Sequence, residues 1–232
     1  MSGSVFNRLE IDVMQVNEIQ ESIELAHKYK FPAIVVHPGL SSDALIARSR
    51  AGGKFKIITP IDWPKGEIFG VNKMRGLTTD SLETDGFEFL LTPSKLELET
   101  RIESKALTEF VKQHLSDATE VRFVLGTSLR NDDNIMAMCR GLLTVRTPAL
   151  VRTDTLLKLQ VSKANPDEHN RQIQYVRDII KVPVKVCGNI ASLKSVAACP
   201  NASRFGVNLA QAKTIIKEFQ SQPDQLRELL DA

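Results

Sequence analysis

The chain has 232 residues, 42% of them apolar and 25% charged, enough for one substantial core or two small ones. Its 30 Lys and Arg nearly balance 28 Asp and Glu, for a net charge of +2. With the basic residues dispersed rather than blocked together, the composition argues against a nucleic-acid or acidic-membrane partner.

The N-terminal MSGSVFNRLE lacks the apolar core of a signal peptide, and no apolar run approaches bilayer-spanning length, so a soluble, cytoplasmic protein is expected. Arg8 to Val13 alternates as a strand, with Glu10 and Asp12 on one face. Asn17 is placed to cap a helix through Tyr29, striped by Ile19, Ile23, Leu25 and Ala26. Ala33 to Val36 is a β-branched strand ended by His37-Pro38-Gly39, and a helix from Ser42 and Asp43 stops at Gly52-Gly53. Lys56 to Thr59 is a third strand, followed by a loop from Pro60 to Gly66 that contains Asp62 and the only tryptophan, Trp63.

Phe69 to Thr79 is weakly helical, and Phe87 to Leu91 is a fourth strand with Glu88 inside its apolar run. Leu96 to Leu115 reads as a long helix, Val121 to Leu125 as a fifth strand, and Asp132 to Leu142 as a helix. Ala149 to Thr153 is expected to be the sixth strand, Pro166 to Ile180 its helix, and Val182 to Cys187 the seventh strand. A short helix over Ser192 to Ala198, an eighth strand over Ser203 to Val207 and a helix from Leu209 to Leu230 complete the chain.

Eight short strands, each followed by a helical segment and undivided by any linker or repeat, predict one α/β domain over residues 1–232, a (β/α)₈ TIM barrel. The competing architecture is an open doubly wound sheet, which needs no pairing between first and last strands. On a barrel, active sites sit at the C-terminal ends of the strands. Glu10, Asp12, His37, Asp62, Glu88, Arg152, Asp154 and Lys185 all fall on or just after strands, a dense ionisable set for an interior otherwise filled by aliphatic residues. Arg152 and Lys185 stand out because each interrupts an apolar strand, and an unpaired buried charge is costly. The plainer account is a strand end from which the cation snorkels to water.

The order of motifs resembles the deoxyribose-phosphate aldolase family, class I aldolases on a (β/α)₈ barrel. VVHPGL at Val35 to Leu40 resembles that family's strand ending in an aromatic and proline, and IDWPKG at Ile61 to Gly66 its Asn-Phe-Pro-His-Gly turn. DGFEFLLTP at Asp85 to Pro93 is similar to its acidic Val-Asp-Val-Val-Phe-Pro strand, and LVRTDT at Leu150 to Thr155 to its Ile-Lys-Thr-Ser-Thr strand. VKVCGNIAS at Val184 to Ser192 is similar to Phe-Lys-Pro-Ala-Gly-Gly-Val-Arg-Thr, and RFGVN at Arg204 to Asn208 to Arg-Phe-Gly-Ala-Ser.

The resemblance implies a Schiff-base lysine at the position held here by Arg152, a second lysine at Lys185 and a catalytic carboxylate at Glu88. Guanidinium is effectively always protonated, so Arg152 cannot be the nucleophile. The family's phosphate grip is also depleted: Leu156 and Leu157 replace a glycine and a lysine, and Gly188-Asn189-Ile190-Ala191 replaces Gly-Gly-Val-Arg. Gly188 and Gly206 remain, with Asn208 where the family has serine, leaving backbone amides as the anion nest.

Three readings follow. In the first, a working aldolase with exchanged roles, Lys185 is the amine and Arg152 the fixed charge that lowers its pKa, with Glu88, Asp12 or Asp154 shuttling protons on a small carbonyl substrate. A neutral amine at pH 7 needs a drop of about 3 units, and direct pairing of Lys185 with Glu88 would work against it. In the second, Arg152, Lys185 and Glu88 form a charge-balanced network in a non-catalytic barrel that binds or assembles with a protein partner. A third keeps an enzyme of another class, with Arg152 holding a substrate carboxylate in bidentate geometry.

His37, Asp62, Gly188, Gly206 and Asn208 would line the mouth, although a strand-end histidine also serves as a cap. The three cysteines, Cys139, Cys187 and Cys199, show neither disulfide pairing nor metal-ligand spacing and read as free thiols in a reducing compartment. Cys187, beside Lys185, could be a low-pKa thiolate or a small core residue. No metal and no cofactor is implied, and the outer helices are compatible with a monomer or a homo-oligomer.

Overall fold

Residues that alternate apolar and polar along an extended chain must present one row to each side of a sheet. In the computed structural model eight strands do this: β1 (Leu9–Val13), β2 (Ala33–Val36), β3 (Lys56–Ile61), β4 (Gly86–Leu90), β5 (Glu120–Leu125), β6 (Leu156–Gln160), β7 (Val184–Cys187) and β8 (Arg204–Val207). The structure describes residues 5–62, 83–90, 119–125, 156–160, 183–188 and 190–221, together with single helical positions at 72, 102–103, 106–107, 109–110, 113, 170–171, 173–174 and 177–178.

All neighbouring strands are parallel, in sequence order, and β8 pairs back onto β1 through Leu9↔Phe205, Glu10↔Gly206 and Ile11↔Val207. The sheet therefore closes on itself, which the open doubly wound alternative does not allow. Four described helices flank it: α1 (Ile19–Tyr29), α2 (Ser41–Arg50), α3 (Leu193–Ala197) and α4 (Leu209–Ser221). Helical positions also fall at Ile102, Leu107 and Phe110, and at Asn170, Ile173 and Arg177, inside the two long segments expected to be helices.

The outward row of each strand meets the helices in a continuous apolar shell. Leu9, Ile11, Val13, Ile34, Val36, Phe87, Phe89, Phe123, Val184, Val186, Phe205 and Val207 share one buried cluster with Ile19, Ile23 and Ala26 of α1 and Ala212, Ile215 and Ile216 of α4. Among the described residues the other apolar cluster, inside the barrel, is small: Ala33, Val35 and Ile58. The rest of the described interior is largely charged.

Three expectations need correction. The strand between β5 and β7 is Leu156–Gln160, whereas Ala149 to Thr153, expected to be the sixth strand, lies outside the described residues. Both segments are apolar runs around one cation, and pattern alone cannot choose between two such runs a few residues apart. The third strand runs on through Pro60 to Ile61, because proline fits extended backbone and forfeits only an N–H. Asn17 does not cap α1: it lies in a short 3₁₀ turn, Val16–Glu18, and no side chain caps the helix that follows.

Candidate functional site inside the barrel

Lys185 sits between Val184 and Val186 on β7, and alternation sends those two valines into the shell and the lysine into the barrel, where it is fully buried. Its ammonium meets three carboxylates: Glu10 at 2.7 Å, Glu88 at 3.0 Å and Asp12 at 3.5 Å. Glu10 and Asp12 come from the same face of β1, and Glu88 from the middle of β4. Asp12 is the outermost of the three, with its side chain 22% exposed against none for Lys185, Glu10 and Glu88.

The cation that balances this acid cluster is Arg122 on β5, the largest fully buried side chain among the described residues. Its Nη1 donates to Glu10 at 2.6 Å and to Glu88 at 2.9 Å, its Nη2 donates to the second Glu10 oxygen at 2.9 Å, and its Nε donates to Glu120 at 2.6 Å. Bidentate contact of this sort is the strong geometry for a guanidinium–carboxylate pair. Arg204 reaches Glu10 at 2.6 Å and Lys56 reaches Glu120 at 2.8 Å, so the chain of pairs runs outward to half-exposed cations at the strand starts.

Burial by itself would neutralise these groups. It pushes the Glu10 carboxyl up, but the charges of Arg122, Lys185 and Arg204 and the Arg122 hydrogen bond overcome it and hold Glu10 well below the usual carboxylate range. Burial likewise pushes Lys185 down, and Glu10, Glu88 and Asp12 overcome it, leaving the ammonium well above its ordinary value. Arg122 is raised by Glu10, Glu88 and Glu120 against the same burial, and Glu120 is held down by Arg122 and Lys56. At Glu10, Glu120, Arg122 and Lys185 the partners thus outweigh burial and favour the charged form, the ammonium in the case of Lys185.

The remaining predicted site residues are arranged around this network. Gly206 on β8 lies against it: a Cβ there would stand 2.9 Å from Lys185 Cε and 3.2 Å from an Asp12 oxygen, and would collide with the Cys187 sulfur. Cys187 is buried beside Lys185 on the inward row of β7. Gly188 follows at φ +85°, a conformation that side chains rarely adopt. Asp62, at φ +60° just past β3, is half-buried at the same end of the barrel.

His37 and Asn208 spend their side chains locally. His37 Nδ1 accepts from the Gly39 N–H at 3.3 Å and starts the turn Pro38–Leu40. The Asn208 side chain accepts from the Gln211 N–H at 2.8 Å while the Gln211 side chain accepts from the Asn208 N–H at 3.0 Å, a reciprocal cap at the start of α4. Arg152 and Asp154, with Trp63, Cys139 and Asn189, lie outside the described residues. The position in register with Lys185 on the neighbouring strand is occupied by Lys158.

Sequence reasoning missed Arg122, although its signal was present. EVRFVL places a cation in an apolar strand just as VKVC does. Among the described residues, no group of three His, Cys, Asp or Glu side chains is placed to hold a metal ion, and no helix is long and apolar enough to cross a membrane.

No family model and no curated protein matches the chain. Solved structures do. A deoxyribose phosphate aldolase from Aeropyrum pernix, described as a unique tetramer, superposes with a TM-score of 0.74 at 14% identity, over 94% of this chain and 91% of that one. A putative deoxyribose-phosphate aldolase from Coccidioides immitis gives 0.73 at 16% identity, over 95% and 88%. An aldolase called QR15 gives 0.73 at 16% identity, over 96% and 99%. The fold is a TIM-barrel-like parallel α/β fold, and its structural neighbours include deoxyribose-phosphate aldolases.

Proposed function

We propose that the chain forms a (β/α)₈ domain of the deoxyribose-phosphate aldolase type that does no Schiff-base chemistry at Lys185 and works, in the cytoplasm, as a binding or assembly module. The observation that carries this reading is the seating of the Lys185 ammonium, fully buried and within 3.0 Å of both Glu10 and Glu88. A nucleophilic amine must first lose a proton, and here each neighbour favours keeping it. The exchanged-role aldolase asks for a pKa lowered by about 3 units, whereas the cluster moves it the other way. Lys185 then acts as a fixed cation that orients Asp12 toward the mouth, where Asp62, Gly188, Gly206 and Asp154 would meet a small carbonyl compound or a segment of a partner protein, while Glu88 anchors Lys185 from within. The tetramer described for the Aeropyrum pernix aldolase supports self-association as the assembly to test first.

One observation favours a second reading. Lys158 stands in backbone register with Lys185 on the next strand, the strand relation in which one lysine serves as amine and the other as fixed charge. On that reading the protein is a class I aldolase, a carbon–carbon lyase, with Lys158 as the amine, Lys185 as the fixed charge and Glu88 as the proton shuttle; Arg152 would bind an anionic part of the substrate.

Borohydride trapping with a panel of small aldehydes and ketones, phosphorylated and not, separates the readings when followed by peptide mass spectrometry on the parent and on Lys185→Ala. The expected result is no reduced adduct on any barrel lysine. An adduct on Lys158 that disappears in Lys185→Ala would replace the first reading with the second, and an adduct on Lys185 itself would restore the exchanged-role aldolase.

A further inference from the structure

The opposite end of the barrel carries a cavity that the aldolase comparison does not explain. It lies where α1 and α2 end and β2 and β3 begin, and is lined by Ala26, His27, Lys30, Phe31, Pro32, Gly52, Lys54 and Phe55. Its volume of about 350 Å³ falls within the range of small-molecule pockets, roughly 300–1,000 Å³.

Two features of the lining point to one class of ligand. The floor is apolar, with Ala26, Phe31 and Phe55 buried and Pro32 half-buried. The rim carries three basic side chains, His27, Lys30 and Lys54, all exposed, and no residue lining the cavity is acidic. The walls are also held in place before any ligand arrives. The Lys56 N–H donates to the Pro32 carbonyl at 3.0 Å, and Arg48 donates to the Phe55 carbonyl at 3.1 Å while pairing with Asp85. The Phe31 N–H returns to the Ala26 carbonyl at 3.0 Å, so the end of α1 is already closed by its own chain. Lys30 itself occupies a left-handed position at φ +61°, a site where glycine is the default and a lysine carries a conformational cost.

We propose that this cavity binds a small organic anion with an apolar body, an aromatic or medium-chain aliphatic carboxylate. The ring or chain lies against Phe31, Pro32 and Phe55, and the carboxylate sits between Lys30 and Lys54. A bare inorganic anion gains nothing from the floor, and a neutral amphiphile gains nothing from the rim. The site is independent of the chemistry at Lys185, so it stands or falls separately from the proposed function.

Calorimetric titration of the full chain with octanoate, benzoate, benzyl alcohol and inorganic phosphate tests the assignment, with chemical-shift mapping to locate the site. Octanoate and benzoate are expected to bind and to shift Phe31 and Phe55, at least tenfold more tightly than benzyl alcohol or phosphate. Each lysine should contribute roughly a fivefold affinity change at low salt, shrinking as salt is added. Lys30→Gly is the decisive variant, because it relieves the left-handed backbone while removing one charge. It should keep or raise the melting temperature and still weaken octanoate about fivefold. Octanoate that binds Lys30→Gly and Lys54→Ala as well as the parent, phosphate that binds as tightly as octanoate, or shifts confined to the Lys185 end of the barrel would each overturn the proposal.

Discussion

The two sides of the same barrel wall obey different physics. Outward from the strands, Ile11, Phe89, Val186 and Phe205 pack into a shell where burial of apolar surface contributes stability in proportion to area, with little dependence on pH or salt. Inward from the same strands, Glu10, Glu88, Arg122 and Lys185 are equally buried but tied together in ion pairs, and each is tolerable only because the others are present. The shell tolerates change one residue at a time, whereas the interior is an all-or-none assembly. An interior so organised contributes little net stability beyond a packed apolar core, yet it fixes where every charge near the mouth points.

The largest effect should come from removing Arg122, which has three carboxylate partners. Arg122→Met leaves Glu10, Glu88 and Glu120 short of a counter-charge, and breaking a buried pair in this way costs about 3–5 kcal/mol. The loss should shrink as pH falls toward 4, since protonating the stranded carboxyls relieves it. Phe89→Leu, in the shell, should cost less and show the same deficit at each pH. Urea unfolding of both variants at pH 7 and pH 4.5 decides the matter, and an Arg122→Met deficit that does not change with pH would mean that the network is not ionised as described.

The parent protein supplies the next test. Glu10 has a folded pKa below its unfolded value, so its contribution is present above the unfolded carboxyl value of about 4.3 and is lost as pH falls through the folded one. Lys185 has a folded pKa above its unfolded value, so its contribution is complete below about 10.4 and is lost as pH rises through the folded one. These two groups therefore predict flat stability from about pH 5 to 10 and loss on both sides. Stability that climbed on acidification from pH 6 to pH 4 would contradict the depressed Glu10.

A smaller effect is expected where the two regimes touch. Gly206→Ala places a methyl group against Lys185, Asp12 and Cys187, and overpacking of this kind costs about 1–3 kcal/mol. Two of the side chains it meets, Lys185 and Asp12, are paired with each other and cannot swing aside freely, so the variant should also displace the Lys185 resonance in an NMR spectrum. A Gly206→Ala protein with unchanged stability and an unshifted Lys185 would place the lysine elsewhere.

What could be read in the sequence divides along the same wall. Outward rows follow from alternation, and seven of the eight strands lie close to where their patterns put them, because the shell is the part of a barrel that periodicity describes. Lys185, Glu88 and Asp12 were legible as charges inside apolar strands, and they do meet. Their partner Arg122 lies in a strand with the same signature, EVRFVL, but the family motif points to Arg152 instead. The sixth strand failed for a related reason. ALVRT and LLKLQ are both acceptable strands, and only the register between β5 and β7 selects the second.

The smallest effect concerns a residue whose type suggested a ligand contact and whose geometry assigns it a local task. Asn208 opens α4 by exchanging hydrogen bonds with Gln211, and loss of such a cap costs about 0.5–2 kcal/mol. Asn208→Ala should lose about 1 kcal/mol, while Asn208→Asp should lose little, since aspartate accepts the same Gln211 N–H and adds a favourable charge at the helix start. A residue that instead recognised an anion at the mouth would show the opposite order for ligand affinity, with aspartate more damaging than alanine. Thermal melts of the two variants, set beside their binding of any carbonyl compound found by trapping, therefore distinguish a cap from a contact. A cap moves stability alone, with alanine the worse substitution.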